Sequence, residues 1–296
     1  MNILVTGCMG QLGRSFRRAL ALSDHNCIFA DVRDGEDVMV LDITDREAVS
    51  AAVRGNSVDL VVNCAAYTNV NKAEEEEEAA YRINALAPAI LAEAAKDAGA
   101  LLIHISTDYV FDGTGYLPYT EDMPVSPLSA YGRTKQAGEQ LIVDSGCRYM
   151  IFRTAWLYSS FGGNFVQTIY DKSASQPSIN VVCDQIGTPT FAQDLADTIV
   201  GIIESGMHDK TGIYHFTDEG VCSWYDFAKE ICDLSGHLCD VRPCRTSDYP
   251  TKTKRPHYSV LDKTKIKETF GVEIPYWKDS LALCIGKIQE NELNHE

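Results

Sequence analysis

The first 13 residues, MNILVTGCMGQLG, combine a short apolar run with three glycines at Gly7, Gly10 and Gly13. The apolar residues 3–5 predict a buried strand, and the apolar spacing over 11–22 predicts a helix directly after the glycines. Glycines at these positions allow a tight turn, close approach of a pyrophosphate to the backbone and close packing of the helix on the strand. The N–H groups at the start of such a helix also attract phosphate charge. A glycine triplet alone is a weak motif, but with this strand and helix around it, it predicts a βα unit that binds a dinucleotide.

The type of dinucleotide is indicated by the end of the next predicted strand, residues 27–30. Asp31 follows that strand, and an acidic residue near this distance from the glycines accepts hydrogen bonds from the adenosine ribose hydroxyls of NAD. Arg33 places a guanidinium where it can meet the 2′-phosphate of NADP. We therefore expect NADH or NADPH as the cofactor, with NADH slightly favoured. The alternative is that both side chains are solvated loop charges.

Predicted strands and helices alternate up to about residue 157. Most of the predicted strands are continuously apolar, which is typical of strands buried on both faces of a parallel sheet, and they span 3–5, 27–30, 60–63, 101–106 and 150–154. Helices are predicted between them over 45–54, 73–82, 84–98 and 130–144. We expect an α/β fold with a doubly wound parallel Rossmann-type sheet, in which ligands bind at the carboxyl ends of the strands.

The pattern becomes irregular beyond residue 157. Helices are predicted over 165–172, 192–205 and 223–234, and strands over 179–182 and 213–216. This pattern favours a smaller mixed α/β lobe. We expect a dinucleotide-binding Rossmann domain at 1–157 and a mainly substrate-binding lobe at 158–296, with some segments of the lobe returning to the Rossmann sheet.

The composition limits the partners and the compartment. The chain has 26 basic and 42 acidic residues, a net charge of −16, which disfavours binding to nucleic acid or to an anionic membrane surface. The ten cysteines form no CxxC pair, and the sequence has no signal-peptide pattern and no long apolar run. These features predict reduced thiols in a cytoplasmic protein. The five consecutive glutamates at 74–78 are interpreted as a solvated helix face.

A tyrosine and a lysine four residues apart are the strongest candidates for chemistry. Tyr131 and Lys135 lie on one face of the predicted helix 130–144. Because a phenol has a pKa of about 10, it exchanges protons poorly at neutral pH, and a nearby ammonium is expected to lower that pKa. Thr107 ends the predicted strand 101–106 at the same sheet edge, where its hydroxyl can bind the carbonyl that Tyr131 would protonate.

The same spacing occurs a second time, at Tyr225 and Lys229. No strand that ends in a hydroxyl residue precedes this pair by a loop. We therefore interpret it as part of an ordinary amphipathic helix, which illustrates how often this spacing arises without a function.

The glycine loop, Thr107, Tyr131 and Lys135, in this order, resemble the extended short-chain dehydrogenases/reductases. More narrowly, STDYVFDGTG, SPLSAYGRTKQAGE, FRTAWLY, DQIGTPT and RPHYSVL resemble the dTDP-4-dehydrorhamnose reductase family, and with the glycine loop they extend from residue 1 to about 261. The resemblance implies NAD(P)H-dependent reduction of the C4 ketone of dTDP-4-dehydro-L-rhamnose to dTDP-L-rhamnose. It also implies a nucleotide-diphosphate sugar as the substrate and a homodimer as one oligomeric state to test.

The resemblance assigns roles to individual residues. Tyr131 would protonate the C4 carbonyl, Lys135 would lower the phenol pKa and hold the nicotinamide ribose, and Thr107 would orient the carbonyl. The cofactor would be held by the glycine loop and by Gln11, Leu12, Asp31, Asp42, Ile43, Cys64, Ala65 and Ala66. Asp108 and Trp156 would touch the sugar, although core packing is an alternative for Trp156. Arg255 would bind the substrate diphosphate, or it would belong to a solvated basic loop.

Two departures from related patterns narrow the prediction. Some members of the family dimerise through magnesium held by glutamates, but this chain has Arg14 and Ser15 after the glycine loop and Phe191-Ala192-Gln193 after GTPT. We therefore predict no metal. Sugar-nucleotide dehydratases use adjacent Asp and Glu after the threonine, whereas this chain has Asp108 and Tyr109, which favours simple reduction over elimination.

Two alternatives stay open at the level of the sequence. One is a reductase or epimerase that acts on another nucleotide-sugar. The other is a non-catalytic, reductase-like regulatory subunit, which the intact set of Thr107, Tyr131 and Lys135 disfavours.

Overall fold

A seven-stranded parallel sheet forms the centre of the molecule. The structure is a computed structural model that describes residues 1–249 and 253–293. The strands lie in the order β11-β6-β5-β4-β1-β2-β3. Their bounds are β1 Asn2–Thr6, β2 Asn26–Asp31, β3 Met39–Val40, β4 Leu60–Asn63, β5 Leu101–Thr107, β6 Arg148–Thr154 and β11 Gly212–His215. The expected doubly wound Rossmann-type sheet is confirmed, and β11, from beyond residue 157, pairs with β6 in parallel.

The helices cover both faces of this sheet because successive strand residues point to opposite sides. On one face, Ile3 and Val5 pack with α1 (Gln11–Ala19), α8 (Ala192–Glu204) and α10 (Thr264–Phe270). On the other face, Leu4 packs with α2 (Arg46–Gly55), α5 (Ala87–Ala98) and α6 (Ala130–Ser145). Both faces are therefore apolar, as the continuous hydrophobic runs predict.

One predicted helix is broken in the structure. The predicted helix 73–82 is replaced by α3 (Val70–Ala73), α4 (Glu77–Tyr81) and a π-helical turn (Arg82–Leu86) that leads into α5. The glutamates between them bind other parts of the chain: the Tyr67 hydroxyl donates to Glu76 (2.8 Å), and the Ala130 N–H donates to Glu74 (2.9 Å). These partners, distant in sequence, override the local preference for a continuous helix.

The remaining residues form a second, smaller core. Buried side chains of α7 (Phe165–Ser175), α9 (Trp224–Ser235) and α11 (Trp277–Leu293) pack together there. Three two-stranded sheets complete this part: β7 (Leu157–Tyr158) with β10 (Thr190–Phe191), β9 (Ile186–Gly187) with β12 (Cys222–Ser223), and β8 (Ser178–Val182) with β13 (Asp240–Cys244). Short 3₁₀ helices lie at Asp108–Val110 and Thr246–Asp248. No helix in the described ranges is long and apolar enough to cross a membrane.

Candidate active site

A cleft of about 1010 Å³ opens at the carboxyl ends of the central strands. Most of the residues proposed from the sequence line it: Gly7, Gly10, Gln11, Leu12, Asp31, Asp42, Ile43, Cys64, Ala65, Ala66, Thr107, Asp108, Tyr131, Lys135 and Trp156. Gly13 and Arg255 are not among the lining residues. Tyr225 and Lys229 also lie away from the cleft lining. The fold thus brings the two halves of the predicted site, glycine loop and hydroxyl residues, into one cavity.

The glycine loop forms the floor of one end of the cleft. Gly7 has φ +67°, a left-handed conformation that favours glycine. A Cβ on Gly13 would lie 2.2 Å from the carbonyl oxygen of Gly7, so Gly13 allows α1 to pack against the loop from beneath. Within the described residues no side chain caps the start of α1, which begins after Gly10. Its first N–H groups therefore suit a phosphate ligand.

The carboxylate of Asp31 stands beside this loop at the end of β2. It is buried, and it accepts hydrogen bonds from the Met9 N–H (3.0 Å) and from the Arg33 Nε (3.1 Å). Burial raises the pKa of Asp31, but the hydrogen bonds from Arg33 and Met9 outweigh it, and the net pKa is lowered. The carboxylate therefore stays ionised, with the guanidinium of the exposed Arg33 held next to it.

Thr107 and Asp108 form a tight polar turn where β5 ends. The Thr107 hydroxyl donates to Oδ1 of Asp108 (2.9 Å) and accepts from the Tyr109 N–H (3.2 Å), which caps the 3₁₀ helix. Asp108 is 3% exposed, and burial raises its pKa to about 6 despite the hydrogen bond from Thr107. Its Oδ2 atom has no partner at hydrogen-bond geometry among the described residues, although the Ser259 hydroxyl is near enough to oppose the rise in its pKa. The turn therefore presents a hydroxyl and a carboxyl oxygen with unused acceptor capacity in the same place.

Tyr131 lies in the first turn of α6, and three contacts fix that turn. The Ser129 side chain accepts from the Gly132 N–H (3.1 Å) and caps the helix. A Cβ on Gly132 would lie 2.2 Å from the carbonyl oxygen of Tyr109, so glycine allows α6 to start directly against the turn after β5. The hydrogen bond from the Ala130 N–H to Glu74 is the third contact. The acidic run, interpreted from sequence as solvated, is exposed but also positions the helix that carries Tyr131.

The pKa of Tyr131 differs from the expectation. Burial raises it to about 12, a hydrogen bond with Thr107 opposes that rise, and the charge of Asp108 adds to it. The expectation that Lys135 lowers the pKa of Tyr131 was wrong for the ligand-free protein. The ammonium of Lys135 is not among the causes of the shift, and the amine donates instead to the Ile105 carbonyl (2.6 Å). The phenol is therefore held in its protonated form.

Lys135 is almost completely buried, at 2% exposure, beneath the cleft. Burial lowers its pKa to about 8, while the charge of Glu139 and, where it is ionised, the thiolate of Cys64 oppose that shift. Its Nζ atom also lies 3.3 Å from Nε2 of His104, which is fully buried on β5. His104 was not among the residues predicted for the site, although a histidine inside an otherwise apolar strand was a signal.

Aromatic side chains form another part of the cleft lining, here called the aromatic wall: Trp156, Phe165 and Trp224. Trp156 has φ +48°, a strained conformation for a side chain of this size, and its ring stacks on Trp224 with centroids 3.6 Å apart. Phe165 packs against Trp224 with centroids 4.4 Å apart. Trp156 lines the cleft and is not only a core residue. Trp224 and Phe165 also line it, and the sequence carried no motif that pointed to them.

A hydrogen-bonded loop closes the same side of the cleft. Oε1 of Gln11 accepts from the Ser159 hydroxyl (3.0 Å) and from Nδ2 of Asn164 (2.9 Å). These contacts tie the glycine loop to the residues that follow β7. Gln11 therefore holds the loop in place in addition to lining the cleft.

Arg255 lies beside the cleft without being part of its lining. Burial raises the pKa of Tyr109, and the positive charge of Arg255 opposes that shift, which places the guanidinium near Tyr109. The Nε atom of Arg255 is buried and has no hydrogen-bond partner in residues 1–249 and 253–293. The Arg255 side chain as a whole is half-buried. One of its N–H donors is therefore unused within the described residues.

The parallel sheet, the glycine loop and the pair on α6 define the class of protein. They are the arrangement of an extended short-chain dehydrogenase/reductase, an oxidoreductase that uses a nicotinamide dinucleotide. Residues 1–290 match the family model of the RmlD substrate binding domain. The chain belongs to this family, as its motifs suggest.

Similar proteins agree with this assignment over nearly the whole chain. The dTDP-4-dehydrorhamnose reductase of Aggregatibacter actinomycetemcomitans is 38% identical over 289 residues, which cover 95% of this chain and 97% of that protein. The crystal structure of a dTDP-4-dehydrorhamnose reductase from Clostridium acetobutylicum has a TM-score of 0.92 and 43% identity, covering 98% of this chain and 100% of its own. That of the Bacillus anthracis enzyme in complex with NADP has a TM-score of 0.91 and 34% identity, covering 97% and 99%.

Proposed function

We propose that this chain reduces the C4 ketone of dTDP-4-dehydro-L-rhamnose to the hydroxyl of dTDP-L-rhamnose, using NADH or NADPH. The observation that carries the proposal is the meeting of Thr107 and Tyr131 at one edge of the sheet, in the cleft that the glycine loop also lines. Family membership and relatives with this activity support the choice of substrate. In the reaction, the carbonyl carbon receives a hydride and the carbonyl oxygen receives the proton of the Tyr131 hydroxyl.

The residues present fit a nicotinamide dinucleotide. The uncapped start of α1 provides N–H groups for the pyrophosphate, and the carboxylate of Asp31 provides an acceptor for ribose hydroxyls. When bound, the reduced nicotinamide supplies the hydride. Lys135, beneath the cleft, would hold the nicotinamide ribose.

Tyr131 is suited to act as the acid in the direction of ketone reduction. Its pKa of about 12 keeps the phenol protonated throughout the neutral range, so the proton is available when hydride transfer begins. The alkoxide that forms on the carbonyl oxygen is a stronger base than a phenolate and can therefore take this proton. Thr107, whose hydroxyl is near enough to Tyr131 to oppose the rise in its pKa, would orient the same oxygen. A hydroxyl pair of this kind stabilises the alkoxide that develops during hydride transfer.

The substrate would lie between the turn after β5 and the aromatic wall. Asp108 has a free buried oxygen that can bind a sugar hydroxyl, and the Trp156 ring provides a flat apolar surface for the sugar. The unused Nε donor of Arg255 supports its assignment to the substrate diphosphate, near Tyr109.

The test is a coupled assay in which dTDP-4-keto-6-deoxyglucose and a 3,5-epimerase supply the substrate, and the loss of NADH or NADPH absorbance is measured. We expect turnover that depends on the epimerase. Turnover with the 4-keto-6-deoxyglucose nucleotide that does not need the epimerase would point to a different nucleotide-sugar, and cofactor binding without turnover of either sugar would favour a non-catalytic subunit.

The preference between the two cofactors is a separate part of the proposal. Asp31 is expected to bind ribose hydroxyls and so favour NADH, while Arg33 beside it can bind a 2′-phosphate. We predict that Asp31→Ala lowers kcat/KM for NADH about tenfold more than for NADPH, and that Arg33→Ala lowers kcat/KM for NADPH more than for NADH. An unchanged ratio of the two kcat/KM values in Asp31→Ala would remove Asp31 from the cofactor site.

Four further expectations complete the proposal. Residues 158–296 would mainly bind the substrate, with some segments returning to the Rossmann sheet. A homodimer is one oligomeric state to test. The location would be cytoplasmic, which ten unpaired cysteines support. No metal is expected to take part. Light scattering in the presence and absence of a chelator tests the homodimer and its independence from metal.

A further inference from the structure

Trp156 holds a backbone conformation that a side chain of its size rarely adopts. Among the described residues other than glycine, three have a positive φ: Asp37 (53°), Ser57 (48°) and Trp156 (48°). Asp37 and Ser57 lie in exposed turns and have short polar side chains, whereas Trp156 is half-buried and lines the cleft. Such strain costs free energy, and it persists only where the surrounding structure fixes the conformation. The proposed reaction alone does not explain what fixes it.

Thr190 holds the two peptide groups on either side of the Trp156 Cα atom. Its hydroxyl donates to the carbonyl of Ala155 (2.6 Å), which belongs to the peptide that precedes Trp156. Its N–H donates to the carbonyl of Trp156 (3.3 Å), which belongs to the peptide that follows. Because φ and ψ describe the rotation of these two planar peptides about one Cα atom, Thr190 restrains both angles. Thr190 is 0% exposed, so water does not compete for these hydrogen bonds.

The Thr190 hydroxyl is itself held in place by a second hydroxyl. Thr154, the last residue of β6, is buried, and its Oγ1 atom lies 3.1 Å from Oγ1 of Thr190. Because a carbonyl can only accept, the Thr190 hydrogen points at Ala155, and Thr154 must be the donor to Thr190. The two hydroxyls therefore form a short chain that ends on the backbone of Ala155.

Asp218 fixes the backbone around Thr190 from the other side. Its N–H donates to the carbonyl of Pro189 (3.3 Å), and its Oδ2 atom accepts from the N–H of Phe191 (3.0 Å). Pro189 and Phe191 are the neighbours of Thr190 in the chain, and Asp218 is completely buried. Thr190 is thus a fixed point against which the backbone of Trp156 is held.

The ring of Trp156 is held by a different element, β9. A Cβ on Gly187 would lie 2.7 Å from Cε2 and 2.8 Å from Cζ2 of Trp156, so glycine lets the indole lie directly against this strand. β9 pairs with β12, with Gly187 opposite Cys222, and Trp224 directly follows β12. The pairing that places Gly187 at the edge of the Trp156 ring therefore also brings Trp224 onto its face, with the ring centroids 3.6 Å apart.

We propose that Thr154, Gly187 and Thr190 are positioning residues of the sugar site, which hold Trp156 in its left-handed conformation and fix its ring before the substrate arrives. This inference rests on the proposed function only for the statement that the ring contacts the sugar. A surface that is already in place loses less conformational entropy on binding than one that the substrate must order. The DQIGTPT segment, which contains both Gly187 and Thr190, thereby gains a role in the site.

The position of the ring is tested with the ¹H–¹⁵N indole signals of the ligand-free protein. The chain has three tryptophans, and Trp156→Phe and Trp224→Phe assign two of the three signals. Each ring of the stacked pair shifts the signal of the other through its ring current, so these two signals report on the stack. We expect Thr190→Val, which replaces the hydroxyl with a methyl group of similar size, to move both of them. If both stayed in place, the proposal would be overturned.

Thr188→Val is the matched control for this measurement. Thr188 is also 0% exposed, and its hydroxyl also donates to a backbone carbonyl, that of Gly220 (2.8 Å). Gly220 lies next to Trp277 and not next to Trp156, because a Cβ on Gly220 would be 2.8 Å from Cδ1 of Trp277. We therefore expect Thr188→Val to leave the signals of Trp156 and Trp224 in place. Equal movement of these signals in both variants would show that general loosening controls the ring, which contradicts the proposal.

The effect on the substrate is tested in the coupled assay. Trp156 would contact the sugar both before and during hydride transfer, so displacement of its ring removes binding that is the same in the two states. We expect Thr190→Val to raise KM for the sugar nucleotide about tenfold while kcat stays within about twofold. Thr154→Val leaves the hydrogen bond from Thr190 to Ala155 in place and is expected to raise KM by less. Thr190→Ser keeps the hydroxyl and is expected to recover most of the loss, whereas a wild-type KM in Thr190→Val would overturn the proposal.

Gly187→Ala tests the contact with the ring without touching the hydroxyls, and together with Thr154→Val it decides the matter if Thr190→Val does not fold. We expect it to move the indole signal of Trp156 and to raise KM. Gly201→Ala, where a Cβ meets nothing within 4 Å, is expected to do neither. An unmoved Trp156 signal in Gly187→Ala and Thr154→Val would refute the proposed positioning role.

The indole signals need neither cofactor nor substrate, which separates this inference from the proposed function. If the proposed function fails, the wild type shows no turnover in the coupled assay, and the indole signals still respond to Thr190→Val. If this inference fails, turnover of the wild type persists, and the signals and KM of Thr190→Val equal those of the wild type.

Discussion

Two helices of this molecule carry a tyrosine and a lysine at the same spacing, and they differ in almost everything else. On α6, Tyr131 faces the cleft and Lys135 is 2% exposed beneath it. On α9, Tyr225 and Lys229 are only partly buried at the surface of the second core and lie outside the cleft lining. The spacing alone therefore does not distinguish the two pairs.

The two helices differ in the part of the structure that their first turn packs on. The first turn of α6 packs on the turn where β5 ends, which puts the Tyr131 phenol within reach of Thr107. The start of α9 follows β12, a strand of two residues, and its capping box is formed by its own Ser223 and Asp226. The two tyrosine-lysine pairs therefore differ in the strand that ends beside the tyrosine, which is a feature that the spacing does not encode.

The largest expected effect separates the two tyrosines. We predict that Tyr131→Phe lowers kcat by about 10³-fold or more, because it removes the proton that the carbonyl oxygen receives in this proposal. Tyr225→Phe is expected to retain wild-type kcat and KM in the same coupled assay. Equal losses in the two variants would mean that the cleft on α6 is not the site of reduction.

A second comparison concerns the two lysines and the free energy of unfolding as a function of pH. The pKa of Lys135 is about 8 in the folded protein and about 10.4 in the unfolded chain, so between these values the unfolded state binds more protons. The stability of the wild type therefore rises with pH in this window, since the cost of burying the ammonium disappears. Below pH 8 that cost is fully present.

Lys135→Met removes this dependence. We predict that the free energy of unfolding of the wild type rises by about 2 kcal/mol relative to that of Lys135→Met between pH 8 and pH 10.5. Urea unfolding of both proteins across this pH range measures the difference. Lys229→Met, at the matching and only partly buried position on α9, is the control and is expected to show no such trend. The same slope in both variants would show that burial of Lys135 is not its cause.

Much of the fold was predictable because it depends on local and repeating patterns. The continuous apolar strands and the glycine loop were sufficient for the parallel sheet, and the end of β5 located Thr107 next to α6. The broken helix near residue 74 was not predictable, because Glu74 and Glu76 bind partners at Ala130 and Tyr67. Such partners are set by the tertiary structure.

The site was predictable in part for the same reason. Residues at strand ends and in the glycine loop follow from the topology, whereas Trp224 enters the cleft lining from the second core, where it stacks on Trp156. The electrostatics were not predictable from spacing. The distance along a helix suggested that Lys135 lowers the pKa of Tyr131, but burial and the Ile105 carbonyl control both groups in the structure. His104, a polar residue in an apolar strand, was the available signal.

The smallest effect, and the sharpest test of the comparison, comes from the two helix caps. Ser129 caps α6 and Ser223 caps α9, each accepting an N–H three residues on at 3.1 Å. We predict that Ser129→Ala and Ser223→Ala each lower the free energy of unfolding by about 1 kcal/mol, because both lose the same kind of hydrogen bond. Only Ser129→Ala is expected to lower kcat as well, by a few fold, since the turn it loosens carries Tyr131. If Ser223→Ala lowered kcat equally, the start of α6 would have no special part in positioning the phenol, and the contrast between the two helices would reduce to burial alone.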